Sequence, residues 1–409
     1  MKRWMLFFTC VISFSSLAFG QVLHLVRPSE TDSLISTNDN NHFIYLNSDV
    51  QSRNQLFLFL PGTGGLLVHY TLILKEAANL GYHSIGLTYP NDRTINSLSI
   101  CGLTLDTTCH SRARHEIFDG IDRHPQVEVN HSNSIQNRLI KLLDFLSSEF
   151  PGENWDQYIE ADEILWNKIK IAGHSQGGGH SGFIATLKPV ERAIMIGSND
   201  RIGLLARSAD WMSKEGVSEN NRYFGFLHEM DELVDFENAL ESWEDRGMFV
   251  SSSLINVDTV SDLNYEQSKT LYTQILPRNN EEKKHNSLAV DVHTPVDDDD
   301  RPLLAPVWAH LIQSPIEVVS AVTNFDYRYD ELKVFPNPSR GLLRVDMNGR
   351  SNYKTELQVM DSMGAVVYEN DSFVFGKYLD LNHLSTGVYI LKAYTKSQNI
   401  SIQKILIVK

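Results

Sequence analysis

Cysteine is scarce: the 409-residue chain has three, at positions 10, 101 and 109. So few thiols leave no second pair with which to build a paired-cysteine metal site. Basic charge is also thin. Lys and Arg number 36 against 51 Asp and Glu, a formal charge of −15, and no basic stripe with interleaved aromatics runs through the chain. That balance excludes a nucleic-acid interface. After the first twenty residues no apolar run is long enough to span a bilayer, so the mature chain reads as soluble with no transmembrane segment. Two ligand loops are absent as well. The "PGTGG" at 61–65 lacks the lysine and spacing of a phosphate-cradling loop, and "DDDD" at 297–300 lacks the alternating ligands and glycine of a calcium loop.

The N-terminus does carry an export signal. Residues 1–20, "MKRWMLFFTCVISFSSLAFG", combine a basic start at Lys2 and Arg3 with an apolar stretch and small residues at Ala18 and Gly20. This is the layout of a signal peptide cleaved before Gln21. Cys10 leaves with it. Cys101 and Cys109 then remain as an even number in an oxidising compartment, and their spacing suits a disulfide closing a small loop.

The chain is long for one domain and fits a large core plus a smaller module. From "QLFLFLPGTGG" at 55–65 to "LLAPVWAHLI" at 303–312, apolar strands alternate with helical patterns. Ile135, Leu139, Leu142, Leu143, Leu146 and Phe150 share one helical face, whereas about 93–132 reads as an irregular polar insertion holding both cysteines. The alternation predicts an α/β fold, a mainly parallel sheet covered by helices on both faces. After a loose junction at 321–331, residues 332–409 lose helical periodicity, and short alternating strands predict a small all-β sandwich.

The chemistry centres on "IAGHSQGGGH" at 171–180. A strand runs straight into Ser175, and glycines at 173 and 177 clear room for a nucleophile on a tight strand-to-helix turn, although three consecutive glycines weaken the first helical turn. The backbone N–H of Gln176 would face the developing oxyanion. A second donor is expected from "PGTGG", with Thr63 N–H preferred and Gly64 as the alternative. The serine also needs a base and an acid to orient it. Asp231 lies in the turn after the "YFGFLH" strand and is the preferred acid. Glu229 remains a candidate, and Glu232 and Asp235 read as surface acids at a helix start. In "KKHNSLAVDVHTPV", His285 is preferred over His293 as base; a zinc site from His285, Asp291 and His293 has no recognised spacing.

With "GHSQG" as nucleophile elbow, "LPGTGG" as oxyanion loop, "HEMDELV" as acid turn and "KKHNS" as histidine loop, about residues 40–315 resemble the α/β-hydrolase superfamily. The resemblance implies a sheet of about eight strands and acyl transfer through an acyl-enzyme, with no metal or organic cofactor. It fixes no substrate. A catalytic domain over 21–320 that cleaves small or polymeric carboxylic esters is therefore expected; a peptidase or amidase on the same triad and a non-catalytic surface binding protein are the alternatives. The tail motifs "VFPNPSRGLLRVDM", "VMDSMGAVVYE" and "LSTGVYILKAY" resemble the C-terminal sorting domain of type IX secretion. This resemblance implies engagement with that machinery, passage through the periplasm and outer membrane, and a secreted or cell-surface protein. A carbohydrate-binding β-module ranks second, because the tail has few aromatics arranged as a sugar platform.

Overall fold

Strands that are apolar along their whole length must be buried on both faces, and the central strands here meet that condition. A computed structural model describes residues 20–205, 207–316, 332–347, 354–361, 364–394 and 399–409. The leader, apart from Gly20, and the linker at 321–331 lie outside the described residues. The chain divides into two compact units, Met1–Glu317 and Val318–Lys409.

The first unit is built on a nine-stranded sheet. Its strands are β1 (Gln21–Val26), β2 (His42–Asn47), β3 (Leu56–Leu60), β4 (His83–Gly86), β5 (Ile169–His174), β6 (Arg192–Ile196), β7 (Tyr223–His228), β8 (Leu254–Asn256) and β9 (Thr270–Thr273). Their spatial order is β1-β2-β4-β3-β5-β6-β7-β9-β8. β2 runs antiparallel to its neighbours β1 and β4, and every other pairing is parallel.

On one face, Phe57, Phe59, Ala172, Ile194, Ile196 and Phe226 meet apolar side chains of α1 (Thr71–Asn79) and the last helix of the unit, Ala305–Gln313. On the other face, α4 (Gln176–Leu187) packs on β5 and β6 and is flanked by α2 (Cys109–Asp119). α2 in turn contacts α3 (Ile135–Glu149), whose Ser134 side chain caps the first turn by accepting the Asn137 N–H at 3.2 Å. The apolar face expected for α3 is buried from Ile135 to Leu146. A further helix, α5 (Phe236–Asp245), follows β7, and the last helix of the unit is α6.

Three features depart from the sequence reading. The insertion at 93–132 is not wholly irregular, because α2 lies inside it and Cys101 is joined to Cys109, at the helix start, by a disulfide. β1 and β2 extend the sheet ahead of the first strand foreseen. β8 adds a ninth strand at the far edge; three residues are too short to show a strand period.

The second unit holds two antiparallel sheets. With β10 (Leu332–Phe335), β11 (Leu342–Met347), β12 (Lys354–Met360), β13 (Val366–Val374), β14 (Tyr378–Asp380), β15 (Gly387–Tyr394) and β16 (Asn399–Ile407), the orders are β10-β11-β14 and β13-β12-β15-β16. Leu343 and Val345 of the first sheet share an apolar cluster with Leu357, Val359, Leu391 and Ile405 of the second.

Candidate active site

The site lies at the carboxyl ends of β3, β5, β7 and β9, where the sheet leaves its loops free to converge. Ser175 follows β5 directly and is the N-cap of α4, with φ 53° and ψ −120°. That backbone conformation strongly favours glycine, so a serine held there marks local strain, a feature concentrated at functional sites. The Ser175 side chain does not cap its helix. Gly177 shows why the turn closes: a Cβ there would stand 2.0 Å from the Leu60 carbonyl oxygen. The start of α4 therefore abuts the end of β3, bringing the 61–65 loop beside the serine.

Asp231 and His285 meet. His285 stands on a one-turn helix, Lys284–Ser287, after β9, and its Nδ1 donates to Asp231 Oδ2 at 2.7 Å. Both side chains are almost wholly buried. Asp231 Oδ1 accepts the backbone N–H groups of Leu233 and Val234, each at 2.8 Å, so the carboxylate is fixed in the turn after β7. The other face of the His285 ring, Nε2, is buried with no hydrogen-bond partner among the described residues. Its neighbour is Gly197, whose added Cβ would stand 3.3 Å from His285 Cε1; Gly197 also lines the small cleft over Ser175.

The remaining sequence candidates sort by their partners. Glu229 pairs with the Gln274 amide and Asp235 caps α5 through the Asn238 N–H. Glu232 is more than a surface acid, because its Oε2 accepts the His285 backbone N–H at 3.0 Å. His293 pairs with no carboxylate among the described residues. Asp291 is turned away from both histidines to the start of α1, accepting the N–H groups of Thr71 and Leu72.

Backbone donors separate in the same way. Gly64 N–H donates to the Asn91 carbonyl at 2.8 Å, Gly65 N–H to the Gly62 carbonyl at 3.0 Å, and Gly62 N–H to the Tyr70 hydroxyl at 3.3 Å. Thr63 N–H has no such partner among the described residues, and Gln176 N–H, in the first turn of α4, has none within its helix. The Gln176 side chain holds these loops together: its Oε1 accepts the Thr63 hydroxyl at 3.2 Å and the Ile95 N–H at 3.0 Å.

Sequence reasoning missed Arg114. Its guanidinium, on α2, reaches the same cleft and donates to the Gln176 carbonyl at 3.0 Å and to Asp200 Oδ1 at 2.6 Å. Burial raises the pKa of the Asp200 carboxyl, but the Arg114 charge, the hydrogen bonds from Arg114 and Trp211 and the nearby His110 together outweigh it and hold the group well below the usual carboxylate range. The signal in the sequence was a run of charge inside the insertion, which reads equally as a solvated face.

No curated protein matches the chain. Among solved structures, a surface component of the type IX secretion system of Porphyromonas gingivalis, PorZ, matches with 17% identity over 20% of this chain and 12% of its own, at a TM-score of 0.16. The chain thus spans about an eighth of that protein's length. A protein described as a dienelactone hydrolase from Klebsiella pneumoniae matches with 10% identity over 65% of this chain and 95% of its own, TM-score 0.34. An acetyl xylan esterase from Aspergillus awamori matches with 11% identity over 55% and 80%, TM-score 0.33. No helix among the described residues is long and apolar enough to cross a membrane. Residues 333–409 match the family model of the secretion system C-terminal sorting domain, which marks this chain for type IX export to the cell surface or beyond.

Proposed function

We propose that residues 21–320 form an α/β-hydrolase-type catalytic domain and that the protein is an exported serine hydrolase of carboxylic esters. A linker at 321–331 would join it to a β-sandwich sorting domain at 332–409. The observation that supports the catalytic reading most is the buried His285–Asp231 pair, 2.7 Å apart, whose free Nε2 lies in the same loop cluster as a strained Ser175.

In this reading His285 Nε2 takes the Ser175 proton as Oγ attacks the acyl carbonyl, and Asp231 holds the imidazolium that forms. The carbonyl oxygen becomes an oxyanion facing the N–H groups of Gln176 and Thr63, each worth roughly 3–4 kcal/mol in a well-studied case. The tetrahedral intermediate then collapses, the C–O bond breaks, and the alcohol leaves with the proton from His285. Water repeats the attack on the acyl-enzyme, gives its proton to His285, and frees the acid and Ser175. The cleft over Ser175 measures about 50 Å³. This is far below the roughly 300 Å³ or more of pockets that enclose a whole ligand. Only a small group therefore fits the cleft, with the rest of the ester outside it.

The test is a fluorophosphonate probe on the purified protein. Labelling that maps to Ser175 and vanishes in Ser175→Ala supports the reading. An unlabelled, correctly folded protein refutes it and favours a binding protein that keeps the fold.

A further inference from the structure

His174 takes no part in the steps above, yet it is 2% exposed and both ring nitrogens are engaged. Nε2 lies 3.0 Å from the His285 carbonyl oxygen, and Nδ1 lies 3.2 Å from the Tyr70 hydroxyl. A carbonyl only accepts, so Nε2 must carry the proton and Nδ1 must be the acceptor. Tyr70 therefore donates its O–H to Nδ1, which leaves its oxygen to accept the Gly62 N–H. Every proton in the chain then has one direction: Gly62 to Tyr70, Tyr70 to His174, His174 to His285.

This buried chain joins three loops. It starts beside Thr63, passes through the residue before Ser175, and ends on the backbone of His285. It also completes the hold on His285. Asp231 fixes the ring and Glu232 takes the N–H, but the one-turn helix Lys284–Ser287 has little stability of its own. The His174 bond is the tie between that short helix and the strand that carries the serine. Burial pushes His174 down to about 3, so the ring stays neutral and its donor–acceptor pattern does not switch at neutral pH. Burial likewise pushes the Tyr70 phenol up to about 12.

Resting on the serine-hydrolase reading, we propose that His174 and Tyr70 are positioning residues that set the His285 base and the Thr63 donor at working distance from Ser175. Misplacing a reacting group by about 1 Å is enough to cost roughly a hundredfold in rate.

The experiment compares full-length wild type, Ser175→Ala, His174→Phe, His174→Gln and Tyr70→Phe for the rate of fluorophosphonate labelling and the hydrolysis of p-nitrophenyl acetate. Titration of labelled sites gives rates per folded molecule, so a merely structural defect lowers yield and leaves the rate per site unchanged. Phe fills the imidazole space without hydrogen bonds, whereas the Gln amide can still donate to the His285 carbonyl. The expected result is a loss of roughly tenfold to a hundredfold in labelling rate and kcat for His174→Phe, with KM nearly constant. Tyr70→Phe should lose roughly tenfold, the scale of one buried hydrogen bond left unmade. His174→Gln should recover most of the rate.

Wild-type rates in His174→Phe overturn the proposal, as does an equal loss in His174→Phe and His174→Gln. Where His174→Phe does not fold, wild-type rates in Tyr70→Phe overturn it. Ser175→Ala separates the two ideas. If that variant is inert while the others keep full rate, only the positioning role is refuted; if it still labels at the wild-type rate, the serine-hydrolase reading falls and takes this one with it.

Discussion

Replacing Asp231 with asparagine is a sharp test because the structure dictates how the amide must sit. Asp231 Oδ1 accepts two backbone N–H groups, from Leu233 and Val234, and Oδ2 accepts the His285 Nδ1 proton. In Asp231→Asn the carbonyl oxygen of the amide has to stay on the two N–H groups, since an NH₂ there would oppose two donors. The NH₂ then faces His285 Nδ1 and can only donate to it. Nδ1 must give up its proton, the proton moves to Nε2, and the lone pair that would accept the Ser175 proton is gone. The same exchange in a serine protease lowers kcat about 10⁴-fold, which is about 5.5 kcal/mol of barrier. Because both backbone bonds survive, the melting temperature should change by no more than a few degrees. Initial rates on p-nitrophenyl acetate at pH 7.5 measure the effect, with Glu229→Gln as the control, since that carboxyl pairs with Gln274. An Asp231→Asn enzyme within tenfold of wild type, or a large loss in Glu229→Gln, would show that Asp231 is not the orienting acid.

Ser175→Ala and Ser175→Gly should both abolish hydrolysis, but glycine alone relieves the φ of 53°. Differential scanning calorimetry should therefore place Ser175→Gly a few degrees above Ser175→Ala, reflecting strain of order 1–3 kcal/mol; equal values would argue against a strained nucleophile. His285→Ala should match the serine variants in the ester assay while His293→Ala changes the rate only modestly, and the reverse pattern would move the base along the loop. Acid should destabilise the fold early. Burial pushes His42 and His174 down to about 3, and His83 to about 4, whereas an unfolded histidine titrates near 6.5. Between pH 6.5 and about 4 the unfolded chain binds protons that these folded rings refuse, so each removes up to about 1.4 kcal/mol of stability per pH unit. Urea midpoints at pH 7 and pH 5 report it, and an unchanged midpoint would refute the burial argument.

The core of the sheet was legible because its residues follow strong local rules. "LFLFL" at 56–60 is apolar at every position, and that pattern suits only a strand covered on both sides. The spacing of Ile135, Leu139, Leu142, Leu143 and Leu146 marked the helical face that α3 buries. The pairing of Asp231 with His285 could be named from order along the chain, since each follows a strand whose carboxyl end faces the same side. Distances between loops were beyond such rules. Glu232 looks like a neighbour of Asp231 on a helix start, and only the path of the 284–287 turn makes it the acceptor for His285 N–H. Gly64 and Thr63 are equivalent in sequence, and only the fold shows that the Gly64 N–H is taken up by the Asn91 carbonyl.

The run of glycines after Ser175 shows how a local rule can mislead. Taken alone, Gly177, Gly178 and Gly179 cost helix propensity of about 1 kcal/mol each relative to alanine. In the fold, however, a Cβ on Gly179 would stand 2.0 Å from Arg114 Nη2. The helix surrenders propensity so that a guanidinium from α2 can lie against it and reach the Gln176 carbonyl. Arg114 is fully engaged there by Asp200, which also accepts the Trp211 indole N–H at 2.8 Å. α2 starts at Cys109, the residue bonded to Cys101, so the disulfide holds the start of the helix from which this arginine projects. Glycines, staple and buried ion pair are therefore parts of one arrangement. Local propensity disfavours this helix start, close contacts at Gly177, Gly178 and Gly179 compensate for it, and Ser175 is held strained just before them.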